Sequence, residues 1–312
     1  MSGTEIMDSV LKTAEKVAAV LFYGFFAGAG NKSTVQNWSA ELETAKGQGI
    51  IFSDDNQVLL KCPVTVVSVE IPSCVTAIGH KAFAKCTKLN SVTIPDSVKR
   101  IEAGAFTWCT ALEKIDIPES VNVIGRQAFS RCKTLTQIKL PTGVIEIGDG
   151  VFSGCDKLKA VFVAAVNVEN PAFVVDTSGA LIDCQKQKLL YLPSGFSGIY
   201  TVPDGLTTIG SVAFYCCRKL TGIEIPASVK SIGGKAFYGC SALMEINIPA
   251  GVPAIGDWTF AKCVKLSKIT IPDSVTSIGK NAFYGCTKLT EITVSKDCNV
   301  EPGAFKGKII RR

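Results

Sequence analysis

The chain has 312 residues, room for one large domain or two modest ones and for a substantial buried core. Hydrophobic residues make up 47% of it and charged residues 19%, which excludes disorder over most of its length. The formal charge of +6 falls unevenly, with Lys306, Lys308, Arg311 and Arg312 all inside the final stretch; residues 306–312 read as a basic solvated tail, and no nucleic-acid partner is expected.

Residues 1–48 read as an N-terminal helix and linker. Ser2 and Glu5 have the spacing of a capping box, and Ile6, Val10, Leu11, Ala14, Val17, Ala18 and Leu21 follow with helical spacing. From Val17 to Ala29 the chain is apolar nearly all round. Three readings stay open: a helix capping the solenoid that follows, a signal peptide whose leader carries Glu5, Asp8 and Glu15, or a contact with a membrane or assembly through residues 5–29. The apolar run is short of the roughly 20 residues of a transmembrane span. Residues 27–34 resemble a phosphate-cradling loop, but Asn31 and Phe26 stand where glycines belong.

From residue 49 on, one period governs the chain. Prolines at 72, 95, 118 and 141, then at 203, 226, 249 and 272, recur every 23 residues within each set. In the same step come an isoleucine (78, 101, 124, 147, 209, 232, 255, 278), followed by glycine everywhere except Glu102, and a phenylalanine (83, 106, 129, 152, 214, 237, 260, 283). A cysteine lies three residues after each Phe and a leucine three after that. A coil this short cannot bury its own apolar face, so successive coils must stack around a shared core. Segments such as Ser91, Val92, Thr93, Ile94 alternate as half-buried strands do, and the proline closes each one. The Ile-Gly step predicts a second short strand with a reversal after it, and the Ala-Phe-x-x-Cys piece a tight helical turn.

A longer period lies on top of this. Residues 49–52 and 57–60, ending at Pro63, match residues 179–182 and 187–190, ending at Pro193. Each pair reads as a hairpin and leads into four coils. The division is therefore residues 49–158, a hairpin plus four coils, and residues 159–305, a joint, a second hairpin, four coils and a partial end coil. Residues 159–178 join the two blocks, and the core is expected to run through the joint.

The pattern Ile-Pro-x-x-Val-x-x-Ile-Gly-x-x-Ala-Phe-x-x-Cys-x-x-Leu-x-x-Ile resembles the BspA-type, or Treponema-type, leucine-rich repeat over roughly residues 49–305. That resemblance implies a mainly β, right-handed solenoid and a role in adhesion or protein binding, commonly at a microbial surface or in secreted form. It carries over no catalytic residues. A structural subunit anchored in a larger assembly by its N-terminal helix is the alternative, and an intracellular location goes with retention of residues 1–29.

The residue chemistry points the same way. The repeat-position cysteines (86, 109, 132, 155, 217, 240, 263, 286) read as buried thiols, since stacked parallel side chains have the wrong vectors for a disulfide. Cys62, Cys74, Cys184, Cys216 and Cys298 have no partner spacing, and with His80 as the one histidine no His-containing metal cluster can form. His80 occupies a variable slot with no nucleophile or orienting group nearby. No catalytic residue, metal or cofactor is expected.

A protein partner is expected on the exposed strand positions, represented by Glu70, Thr93, Asp116, Lys139, Glu224, Asn247 and Lys268, a face of mixed charge free of aromatics. The alternative is an edge carrying Trp108, Tyr215, Tyr238, Trp258 and Tyr284, residue types that anchor interfaces.

Overall fold

The computed structural model describes residues 38–163 and 171–312. Over these the chain is a mainly β solenoid of stacked coils. The expected capping box, the helix over residues 6–21 and the loop at 27–34 lie outside the described residues. One short helix, Trp38–Gly47, falls in the stretch read as linker. Leu42 and Ala45, three apart on one face, are buried, and Glu41 Oε2 accepts a bond from Ser73 N at 2.7 Å that ties the helix to the first coil.

Nearly every coil contributes a front strand before the proline, the one ending at Pro118 excepted, and a two-residue back strand ending in the isoleucine. Front strands pair in parallel from coil to coil: Ser68–Glu70 with Ser91–Thr93, Gln137–Leu140 with Ala160–Val163, Ser197–Thr201 with Lys219–Glu224, and Glu245–Asn247 with Lys268–Thr270. Back strands do the same behind the hairpins. Ala77–Ile78, Arg100–Ile101, Val123–Ile124 and Glu146–Ile147 stack in register on Val58–Lys61. Thr208–Ile209 and Ser231–Ile232 stack on Lys188–Tyr191. The second strand of each hairpin is thus the template for the coils that follow.

The glycine after the isoleucine serves contact rather than reversal. A Cβ on Gly148 would lie 2.2 Å from Arg126 N, and one on Gly125 2.5 Å from Ala103 N, so the backbone of the neighbouring coil fills the place of a side chain. The reversal itself differs from the expected helical turn. Ala82 N donates to Gly79 O and Cys86 N to Phe83 O, both at 3.1 Å. The third residues of these two turns, Lys81 and Lys85, have φ of 54° and 66°. A positive φ there is the geometry of type II β-turns, and left-handed residues break a helix. A third set of coil-to-coil bonds runs through the turns: Phe83 N to Ala105 O at 2.8 Å, Phe106 N to Ala128 O at 2.7 Å, Phe129 N to Val151 O at 2.9 Å. These bonds hold the phenylalanines in a column, ring on ring, with centroids at 4.8, 5.4 and 5.9 Å from Phe83 to Phe152.

The joint is richer than its sequence suggested. Ala160–Val163 is a further front strand, in register with the one before it. It escaped the proline-based alignment because Ala164 stands where the next proline would fall. The second hairpin is a three-stranded antiparallel meander, Phe173–Val175, Leu181–Asp183 and Lys188–Tyr191. The core does not run through it as one mass. Leu181, Leu190 and Tyr191 pack with the first block, while Val174, Ile182 and Leu189 pack with the second. Alternate side chains of a strand point to opposite faces, so the meander is a wall between two apolar clusters.

The basic segment at the C-terminal end is not a solvated tail. Lys308–Arg311 is a strand paired in parallel with Glu291–Val294. Arg311 Nη1 donates to the carbonyls of Lys296 and Cys298, each at 2.9 Å, and Arg312 Nε meets Asp273 Oδ1 at 2.8 Å. Charged donors on otherwise unsatisfied carbonyls stabilise by roughly 1.5–3 kcal/mol where shielded from water. Because Arg311 lies near the surface, Arg311→Ala should lower the unfolding free energy by about 1 kcal/mol. Arg311→Lys should recover only part of it, since a point charge cannot fork to two carbonyls. Paired denaturant melts would read both, and a midpoint unmoved by Arg311→Ala would refute the capping role.

Candidate functional site

Two surfaces collect the sequence-predicted residues. On the front strands the expected alternation holds: Ser68 and Glu70 are exposed about a buried Val69, and Glu245 and Asn247 about a buried Ile246. Thr93, Asp116, Lys139, Thr201, Glu224, Lys268 and Thr270 are likewise exposed. Asp116 keeps its outward direction although residues 114–117 are not hydrogen-bonded as a strand. Parallel register puts equivalent residues in rows about 4.8 Å apart. Polar neighbours link along these rows: Thr201 Oγ1 donates to Glu224 Oε2 at 2.8 Å, and Lys139 Nζ meets Glu119 Oε1 at 2.9 Å. Partial burial would raise the Glu119 carboxyl, but bonds from Thr142 and Lys139 hold it below the usual carboxylate range. Contrary to the expectation from sequence, the face is not free of aromatics. Phe162, paired with Lys139 across the ladder, is 37% exposed, and Ile199 is 64% exposed. Phe162 lies on the extra front strand of the joint, and Ile199 on the first front strand of the second block.

The aromatic edge assembles fully. Tyr215 and Tyr238 stack at 5.1 Å and 6°, Trp258 follows at 6.5 Å, and Tyr284 meets Trp258 edge-on at 5.7 Å. Trp108 is joined to them through Arg131, whose guanidinium lies 4.5 Å from the Trp108 ring centre and 5.5 Å from that of Tyr215. Arg131 also donates to Tyr215 Oη. Burial pushes the Tyr215 phenol up, and Arg131 offsets only part of that. Lys133 stands over Trp108, Lys262 over Tyr238 and Lys306 over Tyr284, at 6.0, 5.5 and 5.9 Å. Cation–π contacts of this kind stabilise by about 0.5–1 kcal/mol each at exposed sites. The cations were not singled out from sequence, yet a signal was present: Arg131 and Lys262 occupy the repeat slot of Trp108.

The thiols are structural. All thirteen cysteines are free. Cys109, Cys132 and Cys155 place Sγ 3.1, 3.2 and 3.0 Å from the carbonyl of the Phe one coil back, and Cys240, Cys263 and Cys286 repeat the contact. Cysteine suits the slot because it is small, apolar and still a weak donor to a buried carbonyl. His80 is exposed, as are Arg126, Asp257 and Lys280 in the same slot, while its other occupants are half-buried. Asp149 in that slot meets Lys188 at 2.6 Å, pinning the first block to the meander. Among the described residues no group of His, Cys, Asp and Glu could hold a metal ion, and no helix is long and apolar enough to cross a membrane.

Residues 56–174 and 207–311 match the BspA type leucine rich repeat region, in six copies. No curated protein matches the chain significantly. Among solved structures, a leucine rich cell surface protein from Faecalibacterium prausnitzii A2-165 is 28% identical, with 79% of each chain covered and a TM-score of 0.56. A leucine-rich repeat protein from Eubacterium ventriosum is 25% identical, covering 78% of this chain and 77% of its own, at a TM-score of 0.57. The pneumococcal vaccine antigen PcpA, 23% identical over 84% of this chain and 71% of its own, shares the fold at a TM-score of 0.63.

Proposed function

The chain belongs to the BspA-type leucine-rich-repeat family, and on that premise we propose that it is a non-enzymatic, adhesin-like protein-recognition scaffold acting at a microbial surface or in secreted form. The observation that carries this reading is the front face: strand after strand presents its outward side chains in register, over a core that uses every inward one. Such a surface contacts a partner along several coils and spreads the binding energy, in contrast to a cleft. The similarity to a leucine rich cell surface protein from Faecalibacterium prausnitzii A2-165 supports the location.

The test is selection from a displayed peptide or domain library on the wild-type chain. A four-site variant, Asp116→Lys, Lys139→Glu, Glu224→Lys and Lys268→Glu, serves as the comparison. Binders should weaken with ionic strength, because rim charges are screened. They should lose at least tenfold in affinity for the variant while it keeps a cooperative melt, since exposed ion pairs contribute only about 0–1 kcal/mol. Binders indifferent to all four reversals would place recognition elsewhere.

A further inference from the structure

We infer that the aromatic edge is a second, distinct recognition surface, built for an extended acidic polypeptide segment. The inference rests on the reading of the chain as a protein-binding scaffold, and names a different surface and a definite partner chemistry. The ribbon runs from Trp108 to Lys306 across successive coils, about 30 Å at ~4.8 Å per coil. An extended segment of about ten residues, at ~3.3 Å each, covers that length.

Charge selects the partner's sign. Arg131, Lys133, Lys262 and Lys306 all stand over rings of the ribbon, and among the described residues none of them is in an ion pair with a carboxylate. Some cations elsewhere are matched, Lys139 by Glu119, Arg100 by Glu102 and Arg312 by Asp273; what distinguishes the ribbon is that four unmatched cations converge on one row of rings. Ring geometry selects the partner's class. Bases and sugars bind such platforms by lying on open ring faces. Here Tyr215 and Tyr238 cover each other, Arg131 lies over Trp108, and Lys306 lies over Tyr284. The ribbon therefore offers ring edges, phenol hydroxyls and ammonium groups outward. Those groups suit carboxylates spaced along a chain, as charge-assisted hydrogen bonds require.

The test uses the full chain and a fluorescein-labelled deca-glutamate peptide, with deca-glutamine, a ten-base oligothymidylate and dextran sulfate as comparisons. Trp108 and Trp258 lie in the ribbon and supply an intrinsic fluorescence signal. Deca-glutamate should bind saturably and shift that signal, whereas deca-glutamine should not. Lys133→Gln, Lys262→Gln and Lys306→Gln together should weaken binding at least tenfold. The same charge loss at Lys61, Lys99 and Lys219 should change it less than twofold, with both triples keeping a cooperative melt well above the binding temperature. The four-site front-face variant should bind deca-glutamate as wild type does, so failure of one surface leaves the other standing. Absent binding, equal losses in the two lysine triples, or tighter binding of the oligonucleotide or the sulfated glycan than of the peptide would each overturn the assignment.

Discussion

Replacing Phe129 by alanine should lower the unfolding free energy by about 3–5 kcal/mol, the range for deleting a large aromatic from a packed core. The ring is fully buried. It lies between Phe106 at 5.4 Å and 2° and Phe152 at 5.9 Å and 23°, so its removal leaves two stacked neighbours facing a void. The backbone cannot close the gap, because Phe129 N is bonded to Val151 O and Phe106 N to Ala128 O, which fixes the coil spacing. His80→Ala, at an exposed slot, should cost less than about 0.5 kcal/mol. Guanidinium melts of the two variants compare them directly. The meander separates two apolar clusters, so hydrogen exchange in Phe129→Ala should rise in the first block before the second. Equal midpoints for the two variants would mean that the inside and outside of the coil have been misassigned.

Alkali should destabilise the chain progressively above pH 9, and the thiol column is the reason. Burial raises Cys109, Cys132, Cys217, Cys240 and Cys263 above the ordinary thiol value of 9.0, and pushes Cys286 up to about 12. Unfolded, the same thiols ionise near 9.0. Above that pH the folded chain holds protons that the unfolded chain has lost. Stability is therefore fully present below pH 9 and falls as pH rises toward the folded-state values. Each such thiol contributes a slope of up to about 1.4 kcal/mol per pH unit while the pH lies between its unfolded and folded values. Against a typical stability margin of about 5–15 kcal/mol, the summed effect of several such thiols is large enough to matter. Melting temperatures taken every half unit from pH 8 to 11 measure the slope. Replacing Cys109 and Cys132 by alanine should make it measurably shallower, whatever it does to the plateau. Thiol reagents should react slowly with the native protein below pH 9 and quickly once it unfolds. A melting temperature constant from pH 9 to 10.5 would sink this account of the cysteines.

The sequence by itself determined the coil, its 23-residue length, the inward column of Ile, Phe, Cys and Leu, and the outward positions of Glu70, Lys139 and Asn247. These are legible because a solenoid turns spatial stacking into sequence periodicity: every coil meets nearly the same neighbours, so the same residue recurs at the same step. Tertiary structure decided what depends on the approach of one particular coil to another. Gly148 is glycine because the Arg126 backbone lies against it, and no local turn rule contains that contact. Lys81 and Lys85 take left-handed φ because coil-to-coil bonds from Phe83 N and Lys85 N fix the turn, against the ordinary preference of lysine. The meander's two-sided wall and the strand made of Lys308–Arg311 lie where the period lapses and alignment has nothing to hold. The aromatic ribbon needed both. Its rings were visible as repeat slots, but only the stacking of residues 131 and 215, far apart in sequence, put a guanidinium between Trp108 and Tyr215. Cation–π and ring-stacking forces act over a few ångströms, and it is the folded backbone that sets those distances.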